Sequence, residues 1–275
     1  MWPNQPLGRN IAGTAEVVRK ITRKDIIDYV STFYQPKNMI IAVSGAYSNT
    51  RLNALIKKYW SKIGAPKWPA WKKVEEKQRR PEMAIQNKKT EQYHIALAFR
   101  SHDYNHPDYV PQIVLASILG GGMSSRLFLE IRERKGWAYY VRSSAGNYQD
   151  TGAFVIQAGV RRDALAAVLK TLMAELKKIK KTLVSGKELA KVKEYLKGSM
   201  TLSLEDSDSL LSWYLDQVAF RRKILQPEAA FRLIDSVTAE KVRKVAQDIF
   251  QEKKMNLAIV GKAGNPAGIK KLLRV

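Results

Sequence analysis

ITRKDIIDYVSTFYQPKNMIIAVSG, at residues 21–45, is matched in pattern by VTAEKVRKVAQDIFQEKKMNLAIVG at residues 237–261. The two stretches align without a gap at an offset of 216 (237 − 21 = 216), and Thr, Gln, Lys, Met, Ala and Gly recur at equivalent places. Each predicts a threonine-capped amphipathic helix, a polar turn and an apolar strand ending at glycine. The strands are expected at 39–43 and Met255–Val260, so the chain contains an internal helix–turn–strand repeat.

The stretch between the two copies carries further helix and strand patterns. Strands are predicted at 94–99, 137–145 and 154–159, a helix or turn at 125–134, and helices at Asn49–Trp60, 109–119, 163–180, 186–202 and 206–220. We therefore expect an α+β fold, with mixed sheets backed by helices and two homologous repeats of which the first is incomplete.

The repeat also predicts the domain organisation. Residues 89–275 would form a complete second domain, residues 1–65 the C-terminal remnant of a first domain, and residues 66–88, rich in Pro, Lys and Glu, a linker. Since 89 − 216 = −127, about 127 residues of the first unit are expected upstream of Met1.

The composition excludes several kinds of site. The chain has 275 residues, 45% of them hydrophobic, which suffices for one large or two modest domains. It has no cysteine, so disulfides, thiolate metal sites and thiol nucleophiles are excluded. No apolar run approaches the roughly 20 residues of a membrane span, and the start does not resemble a signal peptide. We expect no membrane span and no targeting segment, which favours a cytoplasmic location.

The formal net charge of +23 could indicate nucleic acid, an anionic surface or acidic peptides as partners. The basic residues are dispersed along the chain, which favours a lysine-rich solvated surface. The densest cluster, from Lys72 to Lys89, lies in the predicted linker. Nucleic acid is therefore not the expected partner.

Two motifs resemble a known family. The stretch LGGGMSSRLFLEIRERKGWAYYVRSS, from Leu119, resembles the C-terminal domain of the insulinase, pitrilysin and mitochondrial processing peptidase family of zinc metallopeptidases. The opening NQPLGRNIAGT, at residues 4–14, resembles the late part of that family's N-terminal domain. The resemblance implies two homologous α/β domains, as the repeat does.

The resemblance also implies where zinc binds. Family members carry an inverted motif, H-x-x-E-H, in the N-terminal domain, with the glutamate as general base on metal-bound water. The three histidines here, His94, His102 and His106, do not form this motif. Zinc is therefore expected in a missing N-terminal half, and this chain is expected to bind no zinc and to hydrolyse no peptide alone.

An Arg-x6-Tyr pair is a second feature that the resemblance implies. Arg132 and Tyr139 have this spacing, and in the family the pair binds the substrate backbone and steadies the scissile carbonyl. A guanidinium can donate two hydrogen bonds to a carbonyl or carboxylate, and a phenol can donate to a developing oxyanion. The alternative interpretation makes Arg132 a solvated helix residue and Tyr139 a strand core residue.

Two other clusters mimic functional motifs. His102 and His106 have i, i+4 spacing, but Pro107 disfavours a helix there and Asn105 stands where a general base would be, so an exposed loop is expected. Gly120 to Gly122 lack the ending of a phosphate-binding loop and predict a helix end with a tight reversal.

The sequence predicts the substrate-binding, non-catalytic half of a zinc metalloendopeptidase, to which Arg132 and Tyr139 contribute peptide binding and carbonyl stabilisation. One alternative is a non-catalytic subunit or structural relative of such a peptidase, and a distant one is a basic nucleic-acid-binding module. Expected partners are a peptide substrate and either the missing zinc-binding half or a homologous subunit. A homo-oligomer through residues 1–65 is also expected, because the strand at 39–43 would have unpaired edges.

Overall fold

The computed structural model describes residues 1–60, 71–262 and 266–275. The chain divides into two compact units. One contains Met1, Glu76–Met200 and Leu225–Val275, and the other contains Trp2–Glu75 and Thr201–Ile224. Residues 66–70 of the predicted linker lie outside the described residues.

The first unit is built on a five-stranded sheet. Its strands are β1 (Glu82–Gln86), β2 (Tyr93–Ser101), β3 (Ala138–Asn147), β4 (Gly152–Val160) and β5 (Met255–Val260), in the spatial order β1-β5-β2-β4-β3. Strands β1 and β5 run parallel and the other neighbours are antiparallel. The sheet is mixed, which confirms the predicted fold class.

Helices cover one face of this sheet. They are α4 (Tyr109–Gly120), α5 (Leu165–Lys181), α6 (Gly186–Ser203), α8 (Pro227–Asp235), α9 (Ala239–Ile249) and α10 (Pro266–Leu272). Alternate strand residues, such as Leu97, Ile156 and Leu257, point into a core shared with α4, α5 and α9. Apolar side chains recur at every second residue of the strands and at about every fourth residue of the helices. They therefore face one another and form a single apolar layer.

The second unit contains α1 (Ala15–Lys20), α2 (Arg23–Phe33), α3 (Asn49–Trp60) and α7 (Ser207–Phe220). Residues 39–43 form no strand, so that prediction was wrong. Met39 has extended dihedral angles (φ −119°, ψ 138°), but a strand also requires a hydrogen-bonded neighbour. Ile40, Ile41 and Val43 are exposed.

The two copies of the repeat share their local backbone. Thr22 and Thr238 both cap a helix with the side-chain oxygen, and each helix ends at residues with nearly equal dihedral angles. Tyr34 has φ −89° and ψ 66°, and Phe250 has φ −83° and ψ 69°. Gly45 and Gly261 both have positive φ, at 116° and 141°. The predicted threonine caps are confirmed.

Three helices and one strand were not predicted from the sequence: α1, α8, α10 and β1. The strand β1 lies within the predicted linker and alternates half-buried Met83 and Ile85 with exposed residues. No helix in the described part of the chain is long and apolar enough to cross a membrane.

Candidate functional site

Arg132 lies on a helical segment with π-type hydrogen bonding, Phe128–Arg134. Ile131 is fully buried and fixes one face of the segment against the core. Gly136 then adopts a left-handed φ of 60°, which lets the Trp137 N–H bond back to the Ile131 carbonyl at 3.0 Å. This reversal packs the segment against the start of β3.

The Arg132 guanidinium lies over the ring of Phe128, 4.8 Å from its centroid. This cation–π contact restricts the long side chain without occupying its hydrogen-bond donors. Among the described residues, no carboxylate forms an ion pair with Arg132, so its N–H groups can donate to a ligand. The neighbouring Arg134 is paired instead with Glu130, at 2.9 Å.

Tyr139 is the extra residue of a β-bulge. Ala138 pairs with Val160 and Tyr140 pairs with the adjacent Gly159, so Tyr139 has no partner on β4. A bulge redirects a side chain out of the strict alternation of the strand. Tyr139 is 62% exposed. The interpretation of Tyr139 as a strand core residue was therefore wrong.

A second arginine lies electrostatically close to Tyr139. The backbone N–H of Arg161 donates to the Trp137 carbonyl at 2.9 Å, which ties the end of β4 to the start of β3. Its side chain pairs with Asp163 at 2.6 Å. The pKa of Arg161 is raised, chiefly by the hydrogen bond to Asp163 and slightly by Tyr139.

Arg126, which the sequence analysis did not select, anchors the segment that carries Arg132. Its guanidinium donates two hydrogen bonds of 2.7 Å to Glu188 and one of 2.9 Å to Glu175. The pKa of Arg126 is raised, chiefly by the hydrogen bonds to Glu188. Such a paired and hydrogen-bonded charge holds the chain before Phe128 to α5 and α6. Nothing in the sequence around Arg126 distinguishes it from the other arginines.

The glycine run is a close-packing device. A Cβ on Gly120 would lie 2.5 Å from the Ser143 backbone nitrogen, and one on Gly121 would lie 2.6 Å from the Ser117 Cα. The C-terminus of α4 therefore touches β3 directly. This supports the predicted structural reversal and leaves no room for a phosphate at these two positions.

His102 and His106 lie in the non-helical segment between β2 and α4, so the predicted loop is confirmed. The expectation that this loop is exposed was wrong for His102, whose side chain is only 11% exposed. The two imidazole rings stack, with centroids 3.8 Å apart. Packing of the loop against α9 brings His102 within 3.4 Å of Asp248.

Comparison with known proteins identifies the class to which this fold belongs. The family model described as "Peptidase M16 inactive domain" matches residues 20–196. The chain therefore belongs to the insulinase-type zinc metallopeptidase family and carries its non-catalytic, C-terminal domain. This confirms the recognition made from the sequence motifs.

Individual relatives agree with this assignment. An uncharacterised zinc protease of Bacillus subtilis, YmxG, is 31% identical over 264 residues, covering 96% of this chain and 64% of the relative. The mitochondrial-processing peptidase subunit beta of Saccharomyces cerevisiae is 25% identical, covering 94% of this chain and 60% of the relative. The chain thus spans somewhat less than two thirds of these relatives.

Solved structures show the same fold. A peptidase M16 inactive domain from Pseudomonas fluorescens superposes with a TM-score of 0.84 at 24% identity, covering 96% of this chain and 63% of the other. A chain of complex III2 from Candida albicans superposes with a TM-score of 0.86 at 17% identity, covering all of this chain and 68% of the other. At these identities the likeness concerns the fold alone.

Proposed function

We propose that the chain is the substrate-binding, non-catalytic half of a zinc metalloendopeptidase. The observation that carries the proposal is the β-bulge, which presents Tyr139 to solvent from a strand whose neighbouring residues are packed. Arg132 reaches the surface from the segment that packs against the same strand. A phenol and a guanidinium held by a rigid sheet suit recognition of a peptide backbone.

In the proposed mechanism Arg132 binds a carbonyl or carboxylate oxygen of the peptide. The Tyr139 hydroxyl donates a hydrogen bond to the scissile carbonyl oxygen as negative charge develops on it. Zinc, bound by an H-x-x-E-H motif in the other half, would supply the activated water. This chain alone is therefore proposed to bind peptide without hydrolysing it.

The proposed domain organisation follows the repeat. Residues 89–275 form the complete second peptidase-like domain, and residues 1–65 are the C-terminal remnant of the first. Residues 66–88 connect them and contribute β1 to the sheet. The partner that completes the zinc site is either an upstream segment of the same polypeptide or a homologous subunit. The yeast relative is named as a subunit of a processing peptidase.

The assignment of Tyr139 is tested in the intact enzyme. Tyr139→Phe should lower kcat/KM by about one to three decades, because one oxyanion donor is lost. Tyr140→Phe is the matched control, since the Tyr140 hydroxyl lies 3.2 Å from His94 Nδ1 and has a partner of its own. A Tyr139→Phe enzyme within twofold of wild type would refute the role and favour the non-catalytic subunit.

The isolated chain is proposed to form a homo-oligomer through residues 1–65. Ile26, Tyr29 and Val30 on α2 are exposed, as are Ile41 and Val43 after it. Exposed apolar side chains of this kind promote association. Multi-angle light scattering at micromolar concentration should give a dimer. A mass of 31.2 kDa would contradict this proposal.

A further inference from the structure

The loop between β2 and α4 brings three metal-ligating side chains together. One ligand atom each from His102, His106 and Asp108 lies within 4.8 Å of the other two. Ligand atoms around a tetrahedral zinc ion are about 3.4 Å apart, given metal–ligand distances near 2.1 Å. The largest spacing in the cluster, 4.8 Å, exceeds this value by about 1.4 Å, so ion binding would require the ligand atoms to approach one another.

Local hydrogen bonds already position two of these residues. The backbone N–H of Asp108 donates to His106 Nδ1 at 3.1 Å, which orients the ring, and an ion bound at this nitrogen would replace that hydrogen bond. Asn147 Nδ2 donates to the His102 carbonyl at 2.7 Å and fixes the backbone there. Asp108 is the N-cap residue of α4, yet its carboxylate makes no capping hydrogen bond. The carboxylate is available to a ligand.

Buried nitrogen atoms in the same region have no hydrogen-bond partner. They are His102 Nε2 and, nearby on α4, Gln112 Nε2 of a fully buried side chain. Asp248 Oδ2 lies 3.4 Å from His102 Nε2 without completing a hydrogen bond. An unsatisfied buried nitrogen is costly, and a metal ion would satisfy the imidazole directly.

The charges around the cluster favour a divalent cation. Asp108 is a candidate ligand, and Asp248 on α9 lies beside His102. Lys254 opposes them through its contact with Asp248 Oδ1, at 3.0 Å.

In contrast to the expectation from the sequence that this chain binds no zinc, we propose that His102, His106 and Asp108 form a structural binding site for a divalent ion of the zinc type, with Asp248 as the adjacent carboxylate. Two imidazoles and carboxylate oxygens suit zinc and its neighbours in the first transition row. The ion would join the β2–α4 loop to α9 and is separate from the zinc of the proposed catalytic half.

Ion binding requires a change in the histidine pair. The rings are 5° from parallel, so their in-plane lone pairs do not converge on one point. Each ring must tilt toward the other, which separates the stack. Binding should therefore shift the imidazole NMR signals of His102 and His106 and leave those of His94 unchanged.

The three histidines make the test specific, since the chain has no cysteine. Metal-free protein is titrated with Zn²⁺ by calorimetry and with Co²⁺ by absorption spectroscopy. We expect one ion per chain, and His102→Ala and His106→Ala should each weaken binding by at least about tenfold. His94→Ala is the matched control and should stay within twofold.

Thermal unfolding of each metal-free variant checks that the loop still folds. If His102→Ala lowers the unfolding temperature, the half-buried His106 is tested through His106→Gln instead. Absence of saturable Zn²⁺ binding by the wild-type chain would overturn the proposal. So would an equal loss of affinity in His94→Ala, or an unchanged affinity in His106→Gln.

Discussion

The two copies of the repeat have the same local structure and opposite surroundings. Ile26 on α2 is 56% exposed, whereas its counterpart Val242 on α9 is fully buried. Ile41 is 43% exposed, whereas its counterpart Leu257 is buried in β5 between two neighbouring strands. Both copies have a threonine side-chain cap and a helix of 11 residues, and the dihedral angles at the two helix ends are nearly equal.

This difference separates what local sequence determines from what neighbours determine. A threonine cap, an apolar stripe and a final glycine suffice to define a helix, its end and the following turn. They do not define a strand, because strand hydrogen bonds come from another segment of chain. The second copy has β2 and β1 beside it, and the first has no such neighbours among the described residues.

The largest effect of this difference is expected at the aromatic residue that ends each helix. Phe250 is fully buried, with its ring 5.1 Å from those of Phe99 and Phe154, so Phe250→Ala should lower the free energy of unfolding by about 3–5 kcal/mol. Its counterpart Tyr34 is exposed, and Tyr34→Ala should cost less than about 0.5 kcal/mol.

Urea unfolding of both variants measures this comparison. Equal losses of unfolding free energy in the two variants would mean that the first copy of the repeat is already covered by other protein surface. Repeating the experiment with the proposed zinc-binding partner present sharpens it, since a partner that buries Tyr34 should raise the cost of Tyr34→Ala.

The terminal glycines should show a smaller difference. Both have positive φ, but a Cβ on Gly261 would also lie 2.3 Å from Tyr93 Cδ1, whereas nothing lies within 4 Å of one on Gly45. Gly261→Ala should therefore cost about 2–4 kcal/mol, the sum of backbone strain and a steric clash. Gly45→Ala should cost only the strain, about 1 kcal/mol. Chemical denaturation of the pair would contradict this account if Gly45→Ala were the more damaging change.

The smallest expected effect is acid sensitivity, and it should be similar in the two copies. The pKa of Asp25 is lowered, chiefly by its hydrogen bond with the Thr22 side chain. The pKa of Glu240 is lowered, chiefly by a hydrogen bond with its own backbone. A lowered folded-state pKa stabilises the helix start above the unfolded value, near pH 4, and this is lost as pH falls through the folded value.

Carboxyl NMR titration of the chain should show both groups titrating below their model-peptide values. Asp25→Asn and Glu240→Gln identify the two signals. If only the pKa of Glu240 were lowered, capping of the first helix would depend on burial, contrary to this prediction.

Much of the fold was predictable because its signals are local. Long amphipathic or apolar segments such as α4, α5 and β2 were placed within a few residues of their true ends. The strand β1 was missed because its five residues lie in a charged segment, and its pairing with β5 is set by residues far along the chain. The prediction of a strand at 39–43 was wrong for the opposite reason. The apolar strand pattern is present there, but the described residues provide no neighbouring strand.

The candidate site was predictable only through family resemblance. Arg132 and Tyr139 match a family spacing, and their roles stay a prediction. The bulge that exposes Tyr139 depends on the register with β4, which no local pattern encodes. The pairing of Arg126 with Glu175 and Glu188 likewise depends on residues far along the chain.

The spatial order of the strands has a consequence for synthesis on the ribosome. Strands β2, β3 and β4 are contiguous in the chain and can pair as soon as they emerge, but the free edge of β2 must wait for β5. Because β1 pairs with β5 alone, it must wait as well. During this interval the unpaired edge is prone to misassociation. Chaperones would shorten the interval or shield the edge. The first strand of the sheet to be translated, β1, is thus the last to be hydrogen-bonded into it.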